Sequence, residues 1–489
     1  MMNCKMKQLA LAVGMAVGGM GLLPSAQAVN VSADHLGQAL IFPYYTVRGG
    51  WNTLLGITNT TDQVVAVKVR FREAYNSRDV LDFDIVLSPH DLWNATVFDS
   101  ESGPVLSINP DENTCTVGLS SKQQAFPEPI SYTGTAADGG PGTVDRLREG
   151  YVEMIMIGAG PAVGLAAGAV HGSNGIPANC AAISQAFRAV NQTPAAALAA
   201  LTAAFPSYPA NALKGTFSLV NGANGYNAVG LPTHLAAFRS TPAIALHTPP
   251  SPTIPYSVSW HEPSLAAADN VGQFIDATAA PGTLSAGGGS GATAVTYALS
   301  QTDVLNEWSR NPTGLSAAGA SFVTATDWVI SFPTKNFYVD AAGNEYSGRA
   351  TVFGGRPGLP ATGPAPFASS FNGTSCDTIT PSVRNREEVG VDVEFPSPSG
   401  RYQLCREVNV LTFNDGFLLG NSAVGQQAVT IKYPSSFLYG WMNIHFDPTA
   451  GLPAIGFAIT SRASADESLL SEAALYEHSY VRPVAATAP

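Results

Sequence analysis

Two neighbouring stretches constrain the fold of this chain more than any other feature. From Val64 to Arg72 the residues alternate, with Val65, Val67, Val69 and Phe71 on one side and Ala66, Lys68, Arg70 and Arg72 on the other. After a polar link from Glu73 to Arg78, Leu81, Phe83, Ile85 and Leu87 alternate with Asp82 and Asp84. A period of two marks a strand with one apolar face. Placed as an antiparallel hairpin with both apolar sets on one face, Phe71 falls opposite Leu81. That register sets Arg70 against Asp82 and Lys68 against Asp84, so opposite charges match across the face expected to meet solvent.

Two more strands precede the hairpin, from Leu40 to Val47 and from Thr53 to Thr58, parted by Arg48-Gly49-Gly50. The run Thr53-Leu54-Leu55-Gly56-Ile57-Thr58-Asn59-Thr60-Thr61-Asp62 leads into Val64-Val65-Ala66-Val67, and Leu87-Ser88-Pro89 follows. This pattern, from Leu40 to Phe98, resembles the opening of immunoglobulin-like modules in bacterial surface proteins. The resemblance implies an antiparallel β-sandwich, a fold that hosts many functions. Segments such as Ile41-Phe42-Pro43-Tyr44-Tyr45 and Thr326-Asp327-Trp328-Val329-Ile330-Ser331-Phe332-Pro333-Thr334-Lys335 are similar to those of secreted proteins of Gram-negative bacteria. No activity comes with that likeness.

The first 28 residues have the layout of a secretory signal: Lys5 and Lys7, an uncharged stretch from Leu9 to Leu23, Pro24, and the small-x-small site Ala26-Gln27-Ala28. The apolar stretch is short and glycine-diluted for a span, which favours cleavage over anchoring. No later run has the length of a transmembrane helix. Removing the signal leaves Cys115, Cys180, Cys376 and Cys405. An even count in an exported chain implies two disulfides. Three pairings are possible. Cys115–Cys180 with Cys376–Cys405 is favoured because each pair then stays within one half of the chain. The expected compartment is the cell surface, the medium or the periplasm. Charged residues are only 12% of the chain, and loss of the two signal lysines takes the net charge from −12 to −14. Such a surface repels nucleic acid and anionic lipid.

Four divisions are expected: the signal peptide at 1–28, an N-terminal β-sandwich lobe at 29–157, an Ala/Gly/Pro-rich insertion with short helices at 158–320, and a C-terminal β lobe at 321–489. A strand from Tyr151 to Ile157 closes the first lobe. Cys180, Ile183, Phe187 and Val190 share one face of a short helix, and Thr193-Pro194 starts another with Leu198, Leu201 and Phe205 buried. Asp303 to Ser309 reads as one or two further helical turns. Strands return at Trp328–Phe332, Phe337–Asp340, Val389–Phe395, Glu407–Phe413, Val429–Lys432, Trp441–Phe446 and Ala454–Thr460. The fold class is therefore mainly β, with immunoglobulin-like lobes and a small Ala-rich helical insertion.

No stretch carries a catalytic motif. Gly288-Gly289-Ser290-Gly291-Ala292 comes nearest to a nucleophile elbow but lacks the final glycine and a preceding strand. The eight histidines are scattered, and the cysteines have no CxxC element, so no metal is expected. Asp99-Ser100-Glu101 and Asn109-Pro110-Asp111-Glu112-Asn113 read as solvated turns rather than calcium loops. Glu387, Glu388, Asp392 and Glu394 are carboxylates of an exposed sheet face rather than a glycosidase pair. Leu359-Pro360-Ala361-Thr362-Gly363 matches a sortase signal by letter but lies far from the C-terminus. One constellation stands out. On the strand from Trp441 to Phe446, Met442, Ile444 and Phe446 form the buried set, leaving Trp441, Asn443 and His445 in a row. That row is either a stacking platform for a sugar ring or a surface covered by the central segment.

These readings point to an exported structural or cell-surface protein, a matrix, adhesive or filament subunit, with no cofactor. Its partners would be copies of itself or other surface components. The alternative is an extracellular carbohydrate- or ligand-binding protein using the Trp441 row. An extracellular hydrolase ranks below both, since no site for it is visible.

Overall fold

The computed structural model describes residues 28–126, 138–189, 194–248, 262–272, 289–309, 316–317, 320–339, 367, 373–394, 402–413, 417–420, 426–431, 438–447, 451–464 and 471–482. Residues 1–27 of the expected signal segment 1–28, the Leu359–Gly363 pentapeptide and Gly288 lie outside them, whereas Ala28, the last residue of that segment, opens the strand Ala28–Val31.

The expected hairpin is present. Val64–Glu73 pairs antiparallel with Asp79–Leu87, with Phe71 opposite Leu81, Arg70 opposite Asp82 and Lys68 opposite Asp84. Asn59 fixes its approach. Its buried amide donates to Gln63 O at 2.7 Å and Ser88 O at 2.8 Å, and its carbonyl accepts from Thr61 N–H at 3.0 Å. The strand is thereby ended and turned by one side chain.

Among the described residues, four large sheets, almost wholly antiparallel, are built around strands of this kind. The first runs, edge to edge, Val271–Gly272, Ala28–Val31, Thr233–Ala236, Ala39–Thr46, Glu149–Gly160, Val64–Glu73, Asp79–Leu87 and Cys115–Val117. The second runs Tyr226–Gly230, Leu213–Asn221, Asn52–Asn59, Leu92–Ser100, Gly103–Ser107 and Gln123–Ala125. Their inner faces meet: Phe42 lies 6.3 Å from Phe217 and Phe83 lies 5.8 Å from Trp93, ring centre to ring centre. The third runs Gly390–Val391, Asp377–Asn385, Tyr439–Phe446, Asp303–Ser309 and Ser479–Val481, with Gln403–Leu404 joined to its second strand. The fourth contains Val393–Glu394, Gln426–Ile431, Val408–Phe413, Ala320–Ser331, Ile455–Ser464 and Ser471–Glu477 in that order. One apolar core runs continuously from the N-terminal sheets, through Phe42 and Trp93, to Trp328 and Phe446 in the C-terminal ones.

The lobes are joined by direct bonds as well as by that core. Trp51 Nε1 donates to Leu418 O at 2.7 Å, Tyr151 Oη to Pro333 O at 3.2 Å, and Ser331 Oγ to Pro43 O at 2.5 Å. Gly49 and Gly420, both with positive φ, meet backbone to backbone. A Cβ on Gly49 would sit 3.0 Å from the Gly420 Cα, so this contact needs glycine on both counts.

The central stretch departs from expectation. Its two helices are present at Cys180–Ala189 and Pro194–Ala204. They cover Val64, Ala66, Val86 and Ile157 on the outer face of the first sheet with Ile183, Phe187, Leu201 and Phe205. Yet residues 158–320 are not only an insertion of short helices. Leu213–Asn221 pairs with Asn52–Asn59, and Thr233–Ala236 with Ala39–Thr46, so this stretch also supplies both N-terminal sheets with strands. Asp303–Ser309 is a strand rather than helical turns, because pairing with Tyr439–Phe446 satisfies its backbone. Conversely, Phe337 falls in a one-turn helix, Asn336–Val339, instead of a strand; Asp340 lies outside the described residues. Both cysteine pairs form as favoured, Cys115–Cys180 and Cys376–Cys405.

The largest correction concerns the hairpin's charged face. Lys68, Arg70, Arg72, Asp82 and Asp84 are completely buried. Lys68 Nζ lies 3.0 Å from Asp82 and 3.1 Å from Asp84 and donates to Thr248 O, while His247 Nε2 lies 2.8 Å from Asp84. On the other side Arg72 Nε reaches Glu153 at 2.7 Å. Alternation reveals which residues share a face but not what will cover it. Burial alone would raise Asp84, yet Lys68 and His247 hold its carboxyl below the usual value. Lys68→Met should therefore cost about 3–5 kcal/mol in urea unfolding, because it strands two buried carboxylates. A cost under about 1 kcal/mol would show that the pair is dispensable.

Candidate functional site

Tyr439–Phe446 lies between two strands of the third sheet, and its alternation is as expected. Met442, Ile444 and Phe446 are buried, and the opposite row is open. Trp441 is 39% exposed, so no covering layer lies over it among the described residues. Strand pairing sets Arg384 on one side of Trp441 and Glu307 on the other. Further along the row, Asn443 Nδ2 donates to Asp303 at 2.9 Å and His445 Nδ1 lies 3.1 Å from the same carboxylate. Asn443 and His445 are thus committed to Asp303, and Trp441 is the member of the row left to meet a ligand.

Trp441 also forms one wall of a groove of about 310 Å³ between strands of the third sheet and strands of the fourth. Tyr439, 38% exposed, extends that wall, and Tyr476, 43% exposed, stands on the other side. Thr324 and Thr460 bring hydroxyls, and Arg386 and Arg462 bring guanidinium groups. These cations already have acids, Glu387 at 2.7 Å and Glu472 at 3.5 Å. Gly440 allows the strands to close under the groove, since a Cβ there would sit 2.0 Å from Arg384 O. Tyr439 was legible by extending the Trp441 alternation two residues back. Tyr476 was not, because nothing in the sequence pairs Ser471–Glu477 with its neighbour Ile455–Ser464.

A second cavity, of about 190 Å³, lies between the lobes. The N-terminal lobe contributes His35 and His234, and the C-terminal lobe Gln301, Glu477, His478 and Arg482. His234 Nε2 accepts from Gly215 N–H at 3.1 Å, and His478 Nε2 donates to Val329 O at 3.0 Å while Asn306 Nδ2 meets its Nδ1 at 3.0 Å. Burial is the main cause that pulls both imidazoles down to about 4. Around His234, His35 and Lys214 push the same way and Asp34 opposes them. His478 faces the rings of Trp328 and Tyr480.

The sign of the pH effect follows. Both histidines have depressed values, so their contribution to stability is complete above about 6.5 and is lost as pH falls toward 4, by about 3 kcal/mol each. Asp327 acts in the opposite direction. Desolvation pushes it up to about 6, against hydrogen bonds from Thr412, Leu419 and Leu418. Its folded form takes up a proton first, returning about 3 kcal/mol between pH 6 and pH 4. The expected net loss from pH 7 to pH 4 is about 3–4 kcal/mol by urea unfolding, and Asp327→Asn should steepen it. A pH-independent midpoint over that range would contradict the assignment.

The remaining candidate residues are not brought together. Asp99 pairs with Arg148 at 3.1 Å, and Glu112 accepts from Thr114, while Asn109 caps Asp111 N–H. Glu387 is spent on Arg386, and Glu388, Asp392 and Glu394 lie along exposed backbone. Among the described residues no group of three His, Cys, Asp or Glu could hold a metal ion, and no helix is long and apolar enough to cross a membrane. No family model matches the chain, and neither a curated protein nor a solved structure matches it.

Proposed function

We propose that this chain is an exported carbohydrate-binding protein of the bacterial cell surface, and that its sugar site is the groove walled by Trp441. One observation carries the reading: Tyr439, Trp441 and Tyr476, each about two-fifths exposed, face a single groove of about 310 Å³. Aromatic faces stack on the apolar C–H surface of a sugar ring, while hydroxyl and guanidinium groups at the rim fix its orientation. The volume sits at the low end for small-molecule sites, which matches one or two rings. Export is supported by the signal-like leader and the two disulfides, and the immunoglobulin-like character of the lobes by the hairpin and its facing sheet. The net charge argues against nucleic acid as the partner.

The same aromatics favour one second reading, an assembly face for further copies or other surface components. A glycan array with the signal-free protein separates the two. Binding of at least one glycan, weakened more than about tenfold by Trp441→Ala with melting unchanged, is the expected result. No glycan bound, together with oligomers on size exclusion that Trp441→Ala dissolves, would replace the sugar reading with the assembly one.

A further inference from the structure

The inter-lobe cavity is lined by charges that make no ion pair among the described residues. Arg482 is half-buried and donates through Nη1 to Ala298 O at 2.8 Å and Ser300 O at 3.4 Å, but it makes no ion pair among the described residues. Glu477, exposed at the cavity's edge, makes none either. A guanidinium removed from water without a carboxylate is poorly compensated, and an anion arriving there restores the balance. Deeper in, Gln301 is 2% exposed and its Oε1 has no hydrogen-bond partner among the described residues. A buried acceptor of this kind is waiting for an N–H or O–H donor.

His234 and His478 add no charge of their own. The Gly215 N–H leaves the His234 proton on Nδ1; the Val329 carbonyl holds the His478 proton on Nε2 while its Nδ1 accepts from Asn306 Nδ2, so each of these two rings is neutral. The permanent charges of the lining are then one cation, Arg482, and one anion, Glu477. A fitting ligand is neutral overall but carries both signs. At about 190 Å³, room for on the order of six water molecules, the cavity takes something small. Leu299, Ile455 and Phe457 give it an apolar wall for a short aliphatic group.

We propose that this cavity binds a small α-amino-acid-type zwitterion, with its carboxylate on Arg482, its ammonium between Glu477 and Gln301 Oε1, and its side chain against the apolar wall. The groove and the cavity share no lining residue, so this site stands independently of the sugar reading.

The test is isothermal titration of the signal-free protein with glycine, alanine, propanoate and ethylamine. Glycine or alanine is expected to bind at least tenfold more tightly than propanoate or ethylamine. Arg482→Gln should lower that affinity more than tenfold and Arg482→Lys should retain most of it, with circular dichroism confirming the fold of each. Glu477→Gln, at an exposed position, should erase the preference for alanine over propanoate. No heat with either amino acid, an unchanged affinity in Arg482→Gln, or equal binding of alanine and propanoate by the native chain would each overturn the proposal.

Discussion

Arg146→Met is expected to lower the unfolding free energy by about 3–5 kcal/mol at neutral pH, because it leaves two buried carboxylates without their cation. Arg146 has no solvent exposure. Its Nη1 donates to Asp138 at 2.7 Å and its Nη2 to Glu73 at 2.9 Å. Glu73 in turn organises the link between the hairpin strands, accepting from the backbone N–H of Tyr75 at 2.6 Å, Asn76 at 3.0 Å and Arg78 at 2.9 Å. Asn76 Nδ2 then donates to Asp138 at 3.1 Å and to Gly373 O, in the C-terminal lobe, at 3.0 Å. One guanidinium thus sets the turn, and the turn sets a contact between the lobes.

The pH dependence separates this account from a simple packing loss. Burial would raise Asp138, but the Arg146 hydrogen bonds and charge, helped by Arg78 and Asn76, hold it at about 2. A depressed carboxyl contributes stability above about 3.8 and loses it as pH falls through 2. In Arg146→Met the same carboxyl has lost its nearest cation, with only Arg78 left at 3.7 Å, and resists protonation far less. The gap between native and variant midpoints should therefore narrow from pH 7 to pH 3. A gap that stays constant, or a neutral-pH loss below about 1 kcal/mol, would mean that Arg146 acts only as bulk.

How much of this was readable from the residues differs by element. The hairpin register was legible because two independent patterns, apolar alternation and charge order, select the same pairing. Its burial was not, since the covering groups, His247 and Thr248, lie 163 and 180 residues from their partners Asp84 and Lys68. The helix after Thr193 was legible from Pro194 and the spacing of Leu198, Leu201 and Phe205. Asp303–Ser309 was misread because Val304, Leu305 and Trp308 also fit one helical face; only the partner strand decides between the two. At the groove, Trp441 could be placed by alternation within one strand. Its opposing wall, Tyr476, depends on how two sheets meet, a relation that no local pattern encodes. The inter-lobe cavity is of the same kind, for His234 and Arg482 become neighbours only when the lobes pack.

The Cys115–Cys180 bridge should account for the stability of the helical layer. Cys115 sits on the edge strand beside Val86, and Cys180 is the first residue of the Cys180–Ala189 helix, with Cα atoms 5.2 Å apart. The bond closes a loop with a sequence separation of 65, which in the chain-entropy account stabilises by about 4 kcal/mol; the Cys376–Cys405 loop, at 29, gives slightly less. The helices otherwise hold to the sheet through a modest apolar patch, chiefly Ile183, Phe187, Leu201 and Phe205 against Val64, Val86 and Ile157. That patch is far smaller than the core between the sheets, so without the bridge the helices should open before the sheets do. In Cys115→Ala/Cys180→Ala, amide exchange over residues 180–189 and 194–204 should accelerate by up to about a thousandfold, the equivalent of about 4 kcal/mol. Exchange in Ala39–Thr46 and Glu149–Gly160 should change much less, and Cys376→Ala/Cys405→Ala should leave the helices protected. Uniform acceleration across helices and sheets in the first variant would show instead that the bridge constrains only the unfolded chain and is no tether for this layer.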